Sequence, residues 1–178
     1  EELGRTKVEA NNAKARLAEI ENEIKASDDK REREQRIYAL EANQAGFMQS
    51  LRKFGTVSKS ERGIILTLPE NIWASTRASN FAPAMDSKLG SLGETLANNP
   101  DYRILIESHT DDRGATEELV ALTNDRSKAI AERLSAFGVP ANRIETRGMG
   151  ASLPVSPNTT NALRAKNRRV QVILVPSI

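Results

Sequence analysis

The chain has 178 residues, of which 38% are hydrophobic and 28% charged, with a formal net charge of +2. That length suits one ordinary domain with an appendage, or two small domains. The near balance of charge argues against a protein that lives by gripping nucleic acid, and the absence of cysteine excludes disulfides and thiolate metal sites.

His109 is the single histidine, so a metal centre would rest mostly on carboxylates, and none is expected. The longest apolar runs, Ile64 to Leu66 and Val172 to Val175, fall far short of the ~20 residues that cross a bilayer. The chain opens at Glu1 rather than Met, and is read as a fragment or mature form whose targeting segment has been removed. Any membrane attachment is then expected in a segment outside this sequence.

Residues 1 to 56 contain no proline, three glycines (Gly4, Gly46, Gly55) and much Ala, Glu, Lys and Arg, the composition of a long helix. Leu3, Ala10, Ala13, Leu17, Ile20 and Ile24 follow one another in steps of seven, three and four. Ile37, Leu40, Phe47, Leu51 and Phe54 repeat the pattern one residue out of register, beyond the polar stretch Ser27 to Arg36. Such spacing lines one face of a helix and needs a partner. Two readings stand side by side: a coiled-coil stalk that makes a homodimer, or an amphipathic helix folding back on its own domain. The 11 basic and 11 acidic residues of this segment cancel, so it is not a basic arm.

From Val57 the texture changes, and a second domain is expected over residues 57 to 178. Arg62 to Pro69 (RGIILTLP) reads as a strand closed by proline. Ile72 to Asn80 is irregular around Trp73; Phe81 to Asn98 has helical spacing and stops at Asn98-Asn99-Pro100. Tyr102 to Glu107 is a strand, and residues 115 to 137 a long helix ended by Gly138. Arg143 to Arg147 is a strand, Gly148 to Pro157 a loop, Asn158 to Lys166 a short helix and Arg169 to Val175 the last strand. The expected fold is α/β: a βαβαβ-type sandwich with a small mixed sheet and helices on one face, plus the long N-terminal helical extension.

One residue of the long helix does not fit its face. At ~100° per residue, Leu119, Leu122, Ala129, Ile130 and Phe137 form an apolar stripe, and Arg126 lies in its middle. An arginine there either reaches the surface or meets an anion, because an unpaired buried charge is costly. The loop before the helix carries Asp111 and Asp112, directly after a strand. Spacing leaves two readings open. One is an internal Arg126–Asp111 salt bridge. The other is a pocket with one positive and one negative wall, suited to a zwitterion such as an amino-acid head group.

The series ILIESHTDDRG, LTNDRSKAI, GVPANRIETRGMGASLPVSPN and NRRVQVIL, with RGIILTLP and the Trp73 loop upstream, resembles the OmpA C-terminal, peptidoglycan-associated domain. The match runs over about residues 60 to 175 in the family's order. The resemblance implies non-covalent binding of the peptide stem of peptidoglycan through its diaminopimelate. Asp111 would meet the ligand's ammonium, and Arg126 would clasp its carboxylate. It further implies Trp73, Asn80, Thr110, Leu119, Leu122, Asn158 and Arg168 as supporting or rim positions, the arginines of NRRV bracing the fold near the site. Departures from the family's pattern are Ser108, Thr123, Leu163, Leu119 and Ala74; the last two remove polar contacts expected at the rim.

Other chemistry is weaker. Arg164, Lys166, Arg168 and Arg169 cluster, but no aromatic residue is interleaved for base stacking. Glu107, His109, Asp111 and Asp112 lack a second histidine and a convergent nucleophile or activated water, so neither a metal site nor an enzyme is expected. Gly148-Met149-Gly150 reads as a tight turn. The sequence thus implies a wall anchor without cofactor, in the periplasm of a diderm bacterium and tethered to the outer membrane. A stator-type, MotB-like anchor and a structural coiled-coil adaptor with a degenerate site are the alternatives.

Overall fold

A computed structural model describes residues 2 to 178, with side chains from residue 4 onward; Leu3, the first of the apolar series, lies outside the described side chains. The chain divides into two compact units, one reaching to Asn43 and including Ile178, the other Gln44–Ser177.

Residues 2 to 43 of the first unit are helical, as part of α1 (Glu2–Leu51). The polar stretch Ser27 to Arg36 is helical as well, because it holds no glycine or proline and its Lys, Glu and Arg residues favour the helix. Val8, Leu17, Ile20 and Ile24 stand 51–59% exposed.

The second unit takes up the end of α1 and the turn after it, where Phe47, Leu51 and Phe54 are buried. It therefore begins at Gln44 rather than at the change of texture after residue 56. Five strands follow: β1 (Thr56–Ser60), β2 (Gly63–Leu68), β3 (Tyr102–His109), β4 (Ile144–Gly148) and β5 (Arg169–Pro176). They form one mixed sheet in the order β1-β2-β5-β3-β4, in which only β3 and β4 are parallel. β1 is not among the expected strands. It is a short edge strand of sequence TVSKS whose residues are mostly exposed, so it carries no apolar alternation to reveal it.

The register places apolar residues in rows across the sheet, Ile64–Leu174–Ile104 and Leu66–Val172–Ile106. Helices α2 (Asp86–Ala97) and α3 (Thr116–Ala136) pack there through Leu89, Leu92 and Leu96, and through Ile130 and Leu134. The short α4 (Asn161–Asn167) leads directly into β5. The expected mixed sheet with helices on one face and a long N-terminal helix is the observed architecture.

Candidate functional site

Because β5 runs antiparallel to both its neighbours, β2 and β3 end where β5 begins. Leu68 pairs with Val170, and Val170 with Ser108. Three residues just beyond these ends consequently meet: Glu70 after β2, Asp111 after β3 and Arg168 before β5. Arg168 Nη1 donates to Asp111 Oδ2 at 2.7 Å, while its Nε and Nη2 donate to the Glu70 carboxylate. Asp111 Oδ1 accepts the Arg113 backbone N–H at 3.0 Å, and the carboxylate is 2% exposed. Burial acts to raise its pKa. The Arg168 hydrogen bond, the Arg113 N–H and the charges of Arg168 and Arg77 outweigh that and hold it below the usual carboxylate value. Asp111 is thus an anion at neutral pH with lone pairs to spare for a cationic donor.

Arg126 is the companion group, also 2% exposed. Its guanidinium lies against the Trp73 ring, 4.9 Å from the centroid. Trp73 stacks in turn on Phe81 at 5.2 Å, and the loop between them is pinched by Ala74 N–H to Asn80 O and Ala82 N–H to Ile72 O. The pinch turns the loop's carbonyls toward Arg126: Nε donates to Ala78 O at 2.8 Å, Nη2 to Thr76 O at 2.9 Å and Ser75 O at 3.3 Å. Among the described residues Nη1 makes no hydrogen bond, so one side of the fork is unspent. Burial pushes the guanidinium pKa down to about 10, against the favourable charges of Glu70 and Asp111. It remains a cation at neutral pH, desolvated and without a bonded carboxylate among the described residues. The internal Arg126–Asp111 salt bridge, one of the two readings of the sequence, is therefore not formed; Arg168 takes Asp111 and the loop takes Arg126.

The remaining sequence-derived positions fall on the same region unevenly. Thr110 is buried and donates its N–H to Gly150 O, fastening the Asp111 loop to the turn after β4. Leu119 is 3% exposed, a packed side chain rather than a rim one. Leu122 is half-buried on α3, and Asn80 is exposed. Asn158 Oδ1 accepts from Asn167 Nδ2, and the Asn167 carboxamide also holds Val155 N–H, Ser156 N–H and Ser156 O, so this pair shapes the long loop before α4. Gly148 touches α3 so closely that an added Cβ would lie 2.3 Å from Asn124 N, which fixes where the turn meets the helix. Glu70, Arg77 and Asn167 were not singled out from sequence. Glu70 and Arg168 are 98 residues apart, and no local pattern joins them.

The basic cluster is largely occupied: Arg164 pairs with Asp112 at 3.1 Å, Arg168 with Glu70 and Asp111, and Arg169 donates to Leu153 O. Glu107 and His109 do share one side, because β3 persists through His109, but Glu107 is tied to Arg62. Among the described residues no group of three His, Cys, Asp or Glu could hold a metal.

Solved structures share this architecture. A MotB-like protein from Desulfovibrio vulgaris superposes with a TM-score of 0.68 at 23% identity, over 79% of this chain and 96% of that one. The cell wall anchor of the T6SS from Pseudomonas aeruginosa does so with a TM-score of 0.63 at 20% identity, over 75% and 96%. At such identities the likeness shows the fold alone, an α/β domain with a five-stranded mixed sheet. The sequence goes further: residues 76–168 match the model of the OmpA family, and the chain belongs to that family. It is 29% identical to the probable lipoprotein YiaD of Escherichia coli over 78% of this chain and 64% of that protein. It is 35% identical to the peptidoglycan-associated lipoprotein of Legionella pneumophila over 56% and 54%. With the peptidoglycan-binding protein ArfA of Mycobacterium tuberculosis the figures are 34%, 54% and 29%. The chain thus spans between about a third and two thirds of the length of these relatives.

Proposed function

We propose that the Gln44–Ser177 unit binds peptidoglycan non-covalently and ties an envelope protein to the cell wall in the periplasm. The names of the family relatives support the ligand. The observation that carries the site is the presence of two buried, oppositely charged groups, Asp111 and Arg126, not bonded to each other and each with hydrogen-bonding capacity to spare. The zwitterionic end of a diaminopimelate side chain matches them: its ammonium donates to Asp111, and its carboxylate accepts from the Nη1 side of Arg126. Arg126 is held under the Trp73–Phe81 loop, so the ligand enters as residues 74 to 80 give way. No bond is made or broken, and binding rather than catalysis is the outcome.

Co-sedimentation with insoluble, diaminopimelate-containing peptidoglycan tests this. The wild type is expected in the pellet, and Asp111→Ala and Arg126→Lys in the supernatant, each with at least a tenfold loss of bound fraction at limiting wall. Folded variants that still sediment like the wild type would move the ligand elsewhere.

The exposed Leu17, Ile20 and Ile24 face of α1 supports a second part of the proposal, pairing with another copy of the chain as a coiled coil. Light scattering should then give twice the 19.6 kDa chain mass, and a chain starting at Gln44 should be monomeric. Tethering to the outer membrane would come from sequence outside this chain.

A further inference from the structure

Five arginines lie on the elements that build the site, and their charges are not equally spent. Arg168 is shared between Glu70 and Asp111, Arg164 is paired with Asp112, and Arg113 donates to Asn161 Oδ1 at 2.6 Å. Arg126 gives its Nε and Nη2 to loop carbonyls. Arg77 alone makes no hydrogen bond or ion pair among the described residues.

Its position is not that of an idle surface cation. Arg77 belongs to the loop between Trp73 and Phe81, whose carbonyls on either side, Thr76 O and Ala78 O, are both held by Arg126. From there the side chain crosses to the loop that carries Asp111. A Cβ at Gly114 would lie 3.4 Å from Arg77 Nη1, 3.7 Å from Nη2 and 3.3 Å from Leu119 Cδ2. Gly114 has φ +139°, so it is a backbone position suited to glycine, and it leaves room where the guanidinium rests. The charge acts on both ligand-facing groups: it favours ionised Asp111 and repels the Arg126 cation. An unpaired cation beside a buried, half-engaged guanidinium is an anion site waiting to be completed.

We propose that Arg77 is the second prong of the carboxylate clasp. This rests on the reading of Asp111 and Arg126 as the ligand-binding pair. With the Nε and Nη2 of Arg126 committed to the loop, Nη1 offers a carboxylate contact from one side only. Arg77 supplies the other donor from the rim, so that two arginines on different elements hold one carboxylate. The neighbouring polar rim is correspondingly bare, with Leu119 packed and Ala74 offering no side-chain donor. The specificity that follows is for a stem whose diaminopimelate ends in a free carboxylate. A carboxamide at that position presents an NH2 to one of the two cations, which is repulsive and leaves a donor unmatched.

The test is calorimetric titration of the full chain with two soluble stem peptides, one ending in the free diaminopimelate carboxylate and one in its carboxamide. The wild type should bind the acid at least tenfold more tightly than the amide. Arg77→Ala should weaken the acid about tenfold, leave the amide nearly unchanged and so collapse the ratio; Arg77→Lys should restore part of it. Equal affinity of the wild type for both peptides, or an equal loss for both in Arg77→Ala, would overturn the assignment. Asp111→Ala is run alongside. If it binds both peptides as the wild type does, the Asp111–Arg126 reading has failed and the clasp falls with it.

Discussion

His109 is 2% exposed, neither ring nitrogen is hydrogen-bonded, and the nearest carboxylate oxygen, on Glu107, is 3.8 Å away. Burial, together with the charges of Arg169 and Arg62, pushes its pKa from 6.5 down to about 4 despite Glu107. In the interval between those values the unfolded chain holds a proton that the folded one refuses. Stability is therefore complete above pH 6.5 and falls as the pH drops toward 4, by up to about 3 kcal/mol. Urea midpoints at pH 7 and pH 4.5 should show this loss in the wild type and much less of it in His109→Gln. Arg126 calls for a different expectation. Replacing it by alanine strips the donors from Ser75, Thr76 and Ala78 carbonyls, so Arg126→Ala should lose about 1–3 kcal/mol of stability as well as its ligand. Asp111→Asn replaces one of the two acceptor oxygens by an NH2 that faces a donor, either Arg168 Nη1 or the Arg113 N–H, so it too should lose about 1–3 kcal/mol of stability as well as its ligand.

Among the elements, α1 behaves as two segments with different work. Leu51 is fully buried and Phe47 lies 4.9 Å from the Tyr102 ring, whereas Leu17 and Ile20 are more than half exposed. Leu51→Ala should destabilise the Gln44–Ser177 unit by about 2–5 kcal/mol in urea unfolding, and Leu17→Ala should shift the monomer's stability by under about 0.5 kcal/mol. A chain starting at Gln44 should fold, and one starting at Val57 should be severely destabilised. The periodicity of residues 37 to 54 told that these positions form a helix face but not what covers it. That depends on α2 and the sheet, far along the chain. Strands with apolar alternation and the long helix were legible for the opposite reason, since their pattern is local. β1 was not, because a solvated edge strand has no pattern to show. Asp111 and Arg126 were legible, one as a carboxylate at a strand end and the other as a charge in an apolar stripe. Glu70 and Arg77 were not: a charged residue in a short connection acquires meaning only when the sheet brings β2, β3 and β5 to one end.

Taken whole, the Gln44–Ser177 unit assembles its site from four separate stretches, each fixed by the sheet register or by α3, and closes it with the one loop that is held mainly by the site itself. The charges of that site, buried Arg126 and Asp111 with part-buried Arg168 and Glu70, sum to zero. A zwitterion adds none, so affinity should respond weakly to salt, except for the part due to the exposed Arg77. The three carbonyls on Arg126 have a kinetic meaning too. They hold the loop down across Arg126 before any ligand arrives, on every molecule. Association should therefore be gated: in stopped-flow mixing with a soluble stem peptide, the observed rate should level off at high peptide concentration, at the rate with which the loop lets go. A rate that climbs linearly without limit would mean that the loop imposes no such step. Departure is governed by the same opening, since a loop that settles over an occupied site must lift before the stem can leave. Such an anchor is slow to catch and slow to release, and its residence time on the wall is set by how firmly one short loop lies down.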